Sequence, residues 1–274
     1  MNLPARLVLL GYPVSHSLSP TFQNAALASA GLQLRYEPLA VPPNELDAVL
    51  ATLLNERAAG NVTVPHKEAV FRACTQRTHV ADRAGAVNTF WCEDGALRGD
   101  NTDVGGFARA VGELCDGARP RSIALVGAGG AAAAVCVAAE DWGAREVRVA
   151  ARNAARARAL ADRFPGLVRV YADVDVALAG AELVVNATPL GLDHADPFPT
   201  APEQIPADAS VLDLVYRRDE TRWVRAARSA GRRAADGLTM LIEQGALSFE
   251  CWFGVPPDRD AMRRAVRELT GRER

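Results

Sequence analysis

The sequence predicts an α/β protein of two domains, the second of which is a doubly wound parallel sheet. Three observations lead to this prediction. The chain has 274 residues, which is enough for two hydrophobic cores. Strand-like and helix-like segments alternate along it, as they do in α/β folds. A glycine-rich turn joins an apolar strand to an alanine-rich helix within residues 121–143, and such a turn usually begins a doubly wound sheet.

The first part of the chain predicts a small α/β domain. Ser19 is the predicted N-cap of its first helix, and Gly31 is the predicted stop. A hairpin is predicted around Glu93-Asp94-Gly95, because turn-forming residues separate two strand-like runs there. The predicted elements are, in order, a strand at 6–11, a helix at 17–31, a strand at 32–41, a helix at 42–55, a strand at 60–64 and the hairpin within 84–103.

The middle of the chain predicts the parallel sheet, because short apolar strands alternate with helices there. A long helix at 236–254 follows the last of these strands, so we expect it to pack back on the first domain. Its apolar positions are Leu238, Leu241, Ile242, Leu247 and Trp252. The other predicted elements are a helix at 104–115, strands at 121–127, 146–151, 167–171, 182–189 and 210–216, the helix that Gly143 ends, and a helix from Asn153.

The composition is that of a soluble globular protein, with 49% hydrophobic and 23% charged residues. The net charge is −2 and the basic residues are dispersed, so we expect neither a nucleic acid nor an anionic membrane as partner. The apolar run near residue 10 is too short for a membrane span and lacks the features of a signal peptide. Five scattered cysteines predict reduced thiols in the cytoplasm, and four distant histidines predict no metal site.

The glycine turn predicts a dinucleotide site of the Rossmann type. Gly127, Gly129 and Ala132 have the spacing G-x-G-x-x-A directly after a strand and at the start of a helix. Glycine permits a tight turn and a close approach of the backbone to a pyrophosphate. The N-terminus of the helix adds N–H donors and positive potential.

The next strand indicates which dinucleotide is bound. An NAD site usually has Asp or Glu near the end of that strand, where it holds the 2′-hydroxyl of the ribose. Here the strand is followed by Arg152, Arg156 and Arg158, without a carboxylate. Cations suit the 2′-phosphate of NADP, so we predict NADP(H). The alternative is an exposed face in an arginine-rich chain.

Lys67 is the only lysine of the chain, whereas the other 30 residues of the Lys+Arg total of 31 are arginine. Lysine can lose its proton in a protein and arginine cannot, so Lys67 is a candidate proton donor. The alternative is chance, because a G/C-rich coding sequence would replace lysine by arginine wherever a plain cation is sufficient.

Seven motifs follow one another along the chain between Gly11 and Trp252. They are G-Y-P-V-S-H-S-L-S-P, N-V-T-V-P-H-K, A-V-N-T, G-D-N-T-D, G-A-G-G-A, N-A-T-P-L-G and D-G-L-T-M-L-I-E-Q-G-A. These motifs and their order resemble those of the shikimate dehydrogenase family. The resemblance implies reversible, NADPH-dependent reduction of 3-dehydroshikimate to shikimate, in the pathway of aromatic amino-acid biosynthesis.

The resemblance also implies roles for individual residues. Lys67 and Asp103 would be the catalytic pair, and Ser17 and Ser19 would hold the substrate carboxylate. The other substrate-binding residues implied are Thr63, Asn88, Asp103, Tyr216 and Gln244. The cofactor-binding residues implied are Gly127, Ala128, Gly129, Gly130, Ala131, Ala132, Arg152, Arg156, Thr188 and Gly237.

The family fold implies a substrate-binding and catalytic domain of residues 1–103 and 237–274, and an NADP-binding Rossmann domain of residues 104–236. The active site is expected in the cleft between them, and a homodimer is one expected assembly. The chain departs from the family pattern after the second Rossmann strand, where Ala151-Arg152-Asn153 replaces N-R-T, and at Arg218, where the family has proline.

Other interpretations stay open for single residues. Ser17 and Ser19 could simply cap a helix, and Asp103 could be the N-cap of the helix at 104–115. Gln244 could be an exposed helical amide, and His16 a structural histidine. For the whole protein, one alternative is an NAD(P)-dependent quinate/shikimate dehydrogenase, and another is a non-catalytic NADP-binding sensor.

Overall fold

The computed structural model describes residues 3–272, and the chain forms two compact units. The first unit comprises Met1–Gly106 and Leu241–Arg274, and the second comprises Phe107–Met240. Residues 1, 2, 273 and 274, which the predicted substrate domain includes, lie outside the described range. Within that range, no helix combines the length and the apolar character needed to cross a bilayer.

A mixed six-stranded sheet forms the centre of the first unit, in the order β2-β1-β3-β5-β6-β4. β1 pairs in parallel with β2 and β3, whereas β5 runs antiparallel to both β3 and β6. The predicted hairpin is confirmed, with Asp94-Gly95 as its turn. The strands are β1 Arg6–Gly11, β2 Tyr36–Ala40, β3 Ala58–Val62, β4 Gln76–Arg77, β5 Thr89–Glu93 and β6 Ala96–Asp100.

Helices cover this sheet, and its core includes Val8, Leu53 and Phe90, which are fully buried. Gly31, with a φ of 68°, follows the first helix as predicted. The helices are α1 Ser19–Ser29, α2 Leu46–Asn55 after a 3₁₀ turn at Pro43–Glu45, α3 Lys67–Ala73 and α4 His79–Ala84. The next helix, α5 Asp103–Leu114, begins in the first unit and continues into the second.

The prediction that Ser19 is the N-cap of α1 is wrong. Ser19 is the first residue of the helix, and Leu18, which precedes it, offers no side-chain oxygen. The hydroxyl of Ser17 instead accepts a hydrogen bond from the backbone N–H of Ser19, at 3.2 Å. The helix therefore begins one residue earlier than the cap rule placed it, because Ser17 satisfies one of its first donors.

The second unit contains a six-stranded, all-parallel sheet in the order β12-β11-β10-β7-β8-β9. This is the predicted doubly wound sheet, with helices in its connections. The strands are β7 Ser122–Val126, β8 Glu146–Ala150, β9 Val168–Tyr171, β10 Leu183–Asn186, β11 Ser210–Asp213 and β12 Ala234–Ala235. The helices are α6 Gly130–Asp141, α7 Ala154–Arg163, α8 Val174–Leu178 and α9 Arg222–Ser229, with a 3₁₀ turn at Pro202–Gln204.

The long helix α10 (Leu238–Phe253) is more deeply buried than its apolar positions predict. Gly245 lies against α1, since a Cβ there would meet the ring of Phe22 at 2.3 Å. Buried polar residues, Gln244 and Ser248, interrupt the predicted apolar face. The last helix, α11 (Arg259–Thr270), is joined to α10 by ion pairs from Arg259 to the buried Glu243 and to Glu250.

Candidate active site and nucleotide site

The chain direction brings the candidate catalytic residues to one edge of the first sheet. β3 ends at Val62, and Lys67 begins α3 five residues later. Asn88 lies at this same edge, because β5 is antiparallel to β3 and the N–H of Val62 donates to the carbonyl of Asn88 at 2.8 Å. β6 ends beside the start of β5, and Asp103 follows it as the first residue of α5. Three connections of the sheet thus converge on one point.

Lys67 and Asp103 form an ion pair at this point. The Nζ of Lys67 lies 2.5 Å from the Oδ2 of Asp103. The side chain of Asp103 is 8% exposed and that of Lys67 is 21% exposed, so the lysine side chain is partly accessible. The Asp103 carboxylate accepts hydrogen bonds from the side chains of Lys67 and Asn88. Its role is therefore to join these side chains rather than to cap its own helix.

Asn88 joins Asp103 to Gln244. Its Nδ2 donates to Asp103 Oδ1 at 2.8 Å and to Gln244 Oε1 at 3.0 Å. Its Oδ1 accepts from the backbone N–H of Thr102 at 2.7 Å. The two ends of the amide therefore face partners of the correct polarity, which fixes its orientation.

Gln244 is not the exposed helical amide that its position in α10 alone would suggest, since it is 7% exposed. Its Nε2 donates to the carbonyl of Leu241 at 2.7 Å, which turns Oε1 toward Asn88. Four predicted site residues are thus joined directly by hydrogen bonds: Lys67, Asp103, Asn88 and Gln244.

The other predicted substrate residues of the first unit lie in the connections that follow β1 and β3. Ser17 is half-buried and Ser19 is buried, and Ser17 holds the start of α1 as described above. Thr63 directly follows β3, and its N–H donates to Leu10 at 2.7 Å. His16 is exposed, whereas His66 is buried with its Nε2 2.6 Å from the carbonyl of Val41, which is a structural contact.

A buried polar chain extends behind these residues, and the sequence did not predict it. Tyr36 donates its hydroxyl hydrogen to Asn61 Oδ1 at 2.9 Å, and Asn61 Nδ2 donates to Ser248 Oγ at 2.7 Å. Ser248 Oγ lies 3.0 Å from Thr102 Oγ1, which lies 3.1 Å from Asn88 Oδ1. Each of these residues is at most 4% exposed. In the sequence, only the polar residues Gln244 and Ser248 within the otherwise apolar face of α10 indicated such a chain.

The glycine turn of the second unit fits a pyrophosphate. Gly127 has a φ of 112°, and a Cβ there would meet the carbonyl oxygen of Ala187 at 2.8 Å. A Cβ on Gly129 or Gly130 would meet no atom within 4 Å, so space is open over the turn where α6 begins. Ala128 and Ala131 are half-buried beside them, and Ala132 is buried against the sheet. The backbone can therefore approach a phosphate group at a helix N-terminus.

Arg152 and Arg156 follow β8, and both are exposed. β8 is the neighbour in the sheet of β7, the strand that the glycine turn follows. Asn153, which departs from the family motif, caps α7 by accepting the N–H of Arg156 at 3.0 Å. Arg152 thus precedes α7 and Arg156 lies in its first turn, and both side chains are exposed to solvent.

Thr188, Tyr216 and Gly237 follow the ends of three further parallel strands, β10, β11 and β12. Thr188 donates from both its N–H and its hydroxyl to Asn186 Oδ1, at 3.0 Å and 2.6 Å. Gly237 leaves no room for a side chain, since a Cβ would lie 2.4 Å from the carbonyl oxygen of Leu214. Tyr216 belongs to the second unit, whereas the other predicted substrate residues belong to the first.

A second buried carboxylate, Asp213, joins two of these connections. Its Oδ1 accepts from Asn186 Nδ2 at 2.8 Å and from the N–H of Val215 at 3.1 Å, and its Oδ2 accepts from the hydroxyl of Thr221 at 2.8 Å. Burial raises the pKa of Asp213 from 3.8 to about 6, although the bonds from Thr221 and Asn186 act in the opposite direction.

Neither a metal site nor a reactive thiol is found among the side chains considered next. No group of three or more His, Cys, Asp or Glu side chains within residues 3–272 is arranged to hold a metal ion. Burial raises the pKa of the Cys74, Cys136 and Cys251 thiols to about 12, so they are inert packing residues at neutral pH.

Comparison with known families identifies most of the chain. Residues 9–90 match the model of the shikimate dehydrogenase substrate binding domain. Residues 111–191 match the model of shikimate / quinate 5-dehydrogenase, and residues 237–267 match that of the shikimate 5'-dehydrogenase C-terminal domain.

Individual relatives agree with these matches. The chain is 42% identical to shikimate dehydrogenase (NADP(+)) of Mesorhizobium japonicum over 93% of either chain. It is similar to the crystal structure of shikimate 5-dehydrogenase from Thermus thermophilus in complex with NADP(H) and shikimate, with 38% identity, a TM-score of 0.88 and coverage of 96% of this chain and 99% of that one. It also resembles quinate dehydrogenase from Corynebacterium glutamicum in complex with NAD, with 30% identity, a TM-score of 0.87 and coverage of 96% and 99%. The chain therefore belongs to the shikimate dehydrogenase (NADP(+)) family.

Proposed function

We propose that the protein reversibly reduces 3-dehydroshikimate to shikimate with NADPH, and that Lys67 and Asp103 are its catalytic pair. The observation that carries the assignment of the pair is the 2.5 Å contact between Lys67 Nζ and Asp103 Oδ2, at the edge of the sheet where three connections meet. Membership of an NADP-dependent oxidoreductase family supports the reaction.

The residues present suit the cofactor. The pyrophosphate would lie over the turn at Gly127 and Gly129 against the N-terminus of α6, and the 2′-phosphate would meet Arg152 and Arg156. When bound, NADPH supplies the hydride that reduces the carbonyl carbon. The contribution of the protein is to hold the substrate in place and to manage the proton.

Lys67 would donate a proton to the carbonyl oxygen during reduction and accept it during oxidation. Its ammonium also polarises that oxygen before the proton moves. Asp103, held by Asn88, keeps the ammonium in place while the Lys67 side chain remains partly exposed. Arginine could provide the charge but holds its proton too tightly to exchange it.

The remaining polar groups would orient the substrate. Ser17 and Ser19 lie at the start of α1, where hydroxyl and backbone donors suit the remote carboxylate. Thr63, Asn88 and Gln244 supply the hydroxyl and amide groups that recognise a polyhydroxylated ring. A group that binds the remote carboxylate equally well in the ground state and in the transition state affects KM and leaves kcat largely unchanged.

A cytoplasmic location and a homodimer are also part of this proposal. The location rests on the cysteines, all five of which are free thiols, as expected in a reducing compartment. Sedimentation equilibrium of the purified chain would test the assembly state.

The function is tested by measuring oxidation of shikimate and of quinate, each with NADP⁺ and with NAD⁺. We expect the highest kcat/KM with shikimate and NADP⁺. Equal or better turnover of quinate with NAD⁺ would favour a quinate/shikimate dehydrogenase instead. NADP⁺ binding without turnover of either acid would indicate a sensor. The Lys67→Ala protein, purified in the same way, controls for contaminating dehydrogenases.

A further inference from the structure

Ser248 is a buried serine of α10, and the helix itself gives no reason for a hydroxyl at this position. It lies in the middle of α10 and is 0% exposed. Its hydroxyl donates to the carbonyl of Gln244, four residues earlier, at 2.9 Å. Such a bond adds nothing to a helix and often weakens it slightly. Alanine would serve the helix better, so the reason for serine must lie in its other partners.

Those partners are two buried polar side chains from the sheet of the same unit. Asn61 Nδ2 donates to Ser248 Oγ at 2.7 Å, and Thr102 Oγ1 lies 3.0 Å from it. Asn61 is 4% exposed and Thr102 is 4% exposed, so water cannot readily replace the serine. Ser248 thus connects β3 with the segment that leads into α5.

From Thr102 the contacts reach the catalytic pair. The backbone N–H of Thr102 donates to Asn88 Oδ1 at 2.7 Å, and its Oγ1 lies 3.0 Å from Asn88 Nδ2 and 3.1 Å from Asn88 Oδ1. Asn88 Nδ2 also donates to Asp103 Oδ1 at 2.8 Å, while Asp103 Oδ2 accepts from Lys67 at 2.5 Å. A backbone N–H can only donate, so it holds the acceptor end of the Asn88 amide and leaves the donor end to Thr102 Oγ1 and Asp103.

We propose that Ser248 is a positioning residue for the reaction, which holds Thr102 so that Asn88 keeps Asp103 beside Lys67. This inference rests on the proposed function. Ser248 does not touch the reacting atoms, and it acts through Thr102 and Asn88. Without its hydroxyl, the Thr102 side chain can rotate away from Asn88, and the ion pair is held less firmly.

The test compares Ser248→Ala with the wild-type enzyme in steady-state oxidation of shikimate by NADP⁺. We expect kcat to fall by up to about 10²-fold, which is the cost of misplacing a catalytic group by about 1 Å, with the KM for NADP⁺ unchanged. Ser122→Ala is the matched control, because Ser122 is also 0% exposed and its hydroxyl hydrogen-bonds Glu146, but it lies at the start of β7 in the other unit. It should lose stability without losing kcat.

A double-mutant cycle with Asn88→Ala separates positioning from general damage. If Ser248 acts through Asn88, the double variant will be no slower than Asn88→Ala alone. If the two single substitutions lowered kcat by factors that multiply in the double variant, the proposal would be overturned. A Ser248→Ala enzyme with wild-type kcat would also overturn it.

Ser248→Cys covers the case in which alanine unfolds the protein, since it keeps a side chain of the same shape, with a slightly larger sulfur atom, and weakens the hydrogen bonds. It should also fold with a reduced kcat. If both variants unfold at the assay temperature, the hydroxyl serves the fold and the proposal is wrong. A wild-type enzyme that does not oxidise shikimate would overturn the proposed function and this inference together, whereas the other adverse outcomes overturn this inference alone.

Discussion

Two buried aspartates, Asp103 in the first unit and Asp213 in the second, have similar surroundings and different partners. Both follow or end a strand at the edge of a sheet, and both accept a 2.8 Å hydrogen bond from an asparagine amide. Asp103 also holds the ammonium of Lys67, whereas Asp213 is held by the hydroxyl of Thr221 and the N–H of Val215. The first is half of an ion pair, and the second is a carboxylate bound by neutral donors.

The difference shows that burial and a perturbed pKa do not by themselves mark a catalytic group. Asp213 has a pKa raised to about 6 by burial, yet its three donors join two connections of the sheet and leave no partner for a reacting proton. The proposed chemistry lies with Asp103, because its partner is a cation that can lose a proton and keep contact with a ligand.

The largest expected effect comes from removing the cation that distinguishes the two aspartates. Lys67→Ala leaves Asp103 without its ammonium, and Lys67→Arg keeps a charge that cannot donate a proton. We expect kcat for shikimate oxidation to fall on the order of 10²–10⁴-fold in both variants, with NADP⁺ affinity retained. Steady-state kinetics and NADP⁺ titration would measure the two quantities.

Arg72→Ala, an exposed change in the same helix, is the control and should be close to wild type. If Lys67→Arg retained most of the activity while Lys67→Ala did not, Lys67 would provide charge alone and proton transfer would be excluded from its role.

The second prediction concerns the aspartate without a cation. The folded state binds a proton at Asp213 more tightly than the unfolded state, since its pKa is about 6 instead of 3.8. Unfolding free energy should therefore fall as pH rises through this range, and Asp213→Asn should remove that fall. The shift corresponds to about 3 kcal/mol, which denaturant unfolding at pH 4, 5, 6 and 7 would detect.

Asp208→Asn, an exposed change in the same unit, should leave the pH dependence unchanged. A wild-type protein whose stability did not fall relative to Asp213→Asn between pH 4 and pH 7 would show that Asp213 titrates normally.

A smaller effect is expected at the nucleotide site. Arg152→Ala removes a charged donor to the 2′-phosphate, which should weaken binding of NADP⁺ by about 1.5–3 kcal/mol and change NAD⁺ use little. KM values for both cofactors would show this, with Arg225→Ala, an exposed arginine of α9, as control. Equal losses with NADP⁺ and NAD⁺ would mean that Arg152 does not contact the phosphate.

The smallest effect is expected at the substrate carboxylate. Ser17→Ala and Ser19→Ala should each raise the KM for shikimate by a factor that corresponds to about 0.5–1.5 kcal/mol, with less change in kcat. Ser29→Ala, at the other end of the same helix, should change neither value. Unchanged KM together with a lower melting temperature would assign both serines to the start of α1 alone.

Local signals predicted most of the fold. The strand Arg6–Gly11 and the turn at Asp94-Gly95 were predicted because an apolar run or a turn residue marks their limits. β4 and β12 were missed, since each has two residues and no periodicity can be read from so short a segment.

The candidate site was predictable only in part. Lys67 stood out by its residue type, and the roles of the other site residues came from family motifs. The contact between Asn61 and Ser248 joins residues 187 positions apart, and no local pattern reports such a pair. Asp213 is a single carboxylate at the end of a strand within an apolar run. This pattern could have predicted a buried polar cluster there.

The return of α10 to the first unit has a consequence for how the protein is made. Asn88 is 156 residues from Gln244, and both are needed for the same cluster. At about 5–20 residues per second, the ribosome reaches Gln244 roughly 8–30 seconds after Asn88. During that interval the first sheet exists without α10, and its amides and hydroxyls at that edge are open to water. The second unit, which ends at Met240, is synthesised within this same interval, so the cluster of the first unit is completed only after the whole second unit has been made.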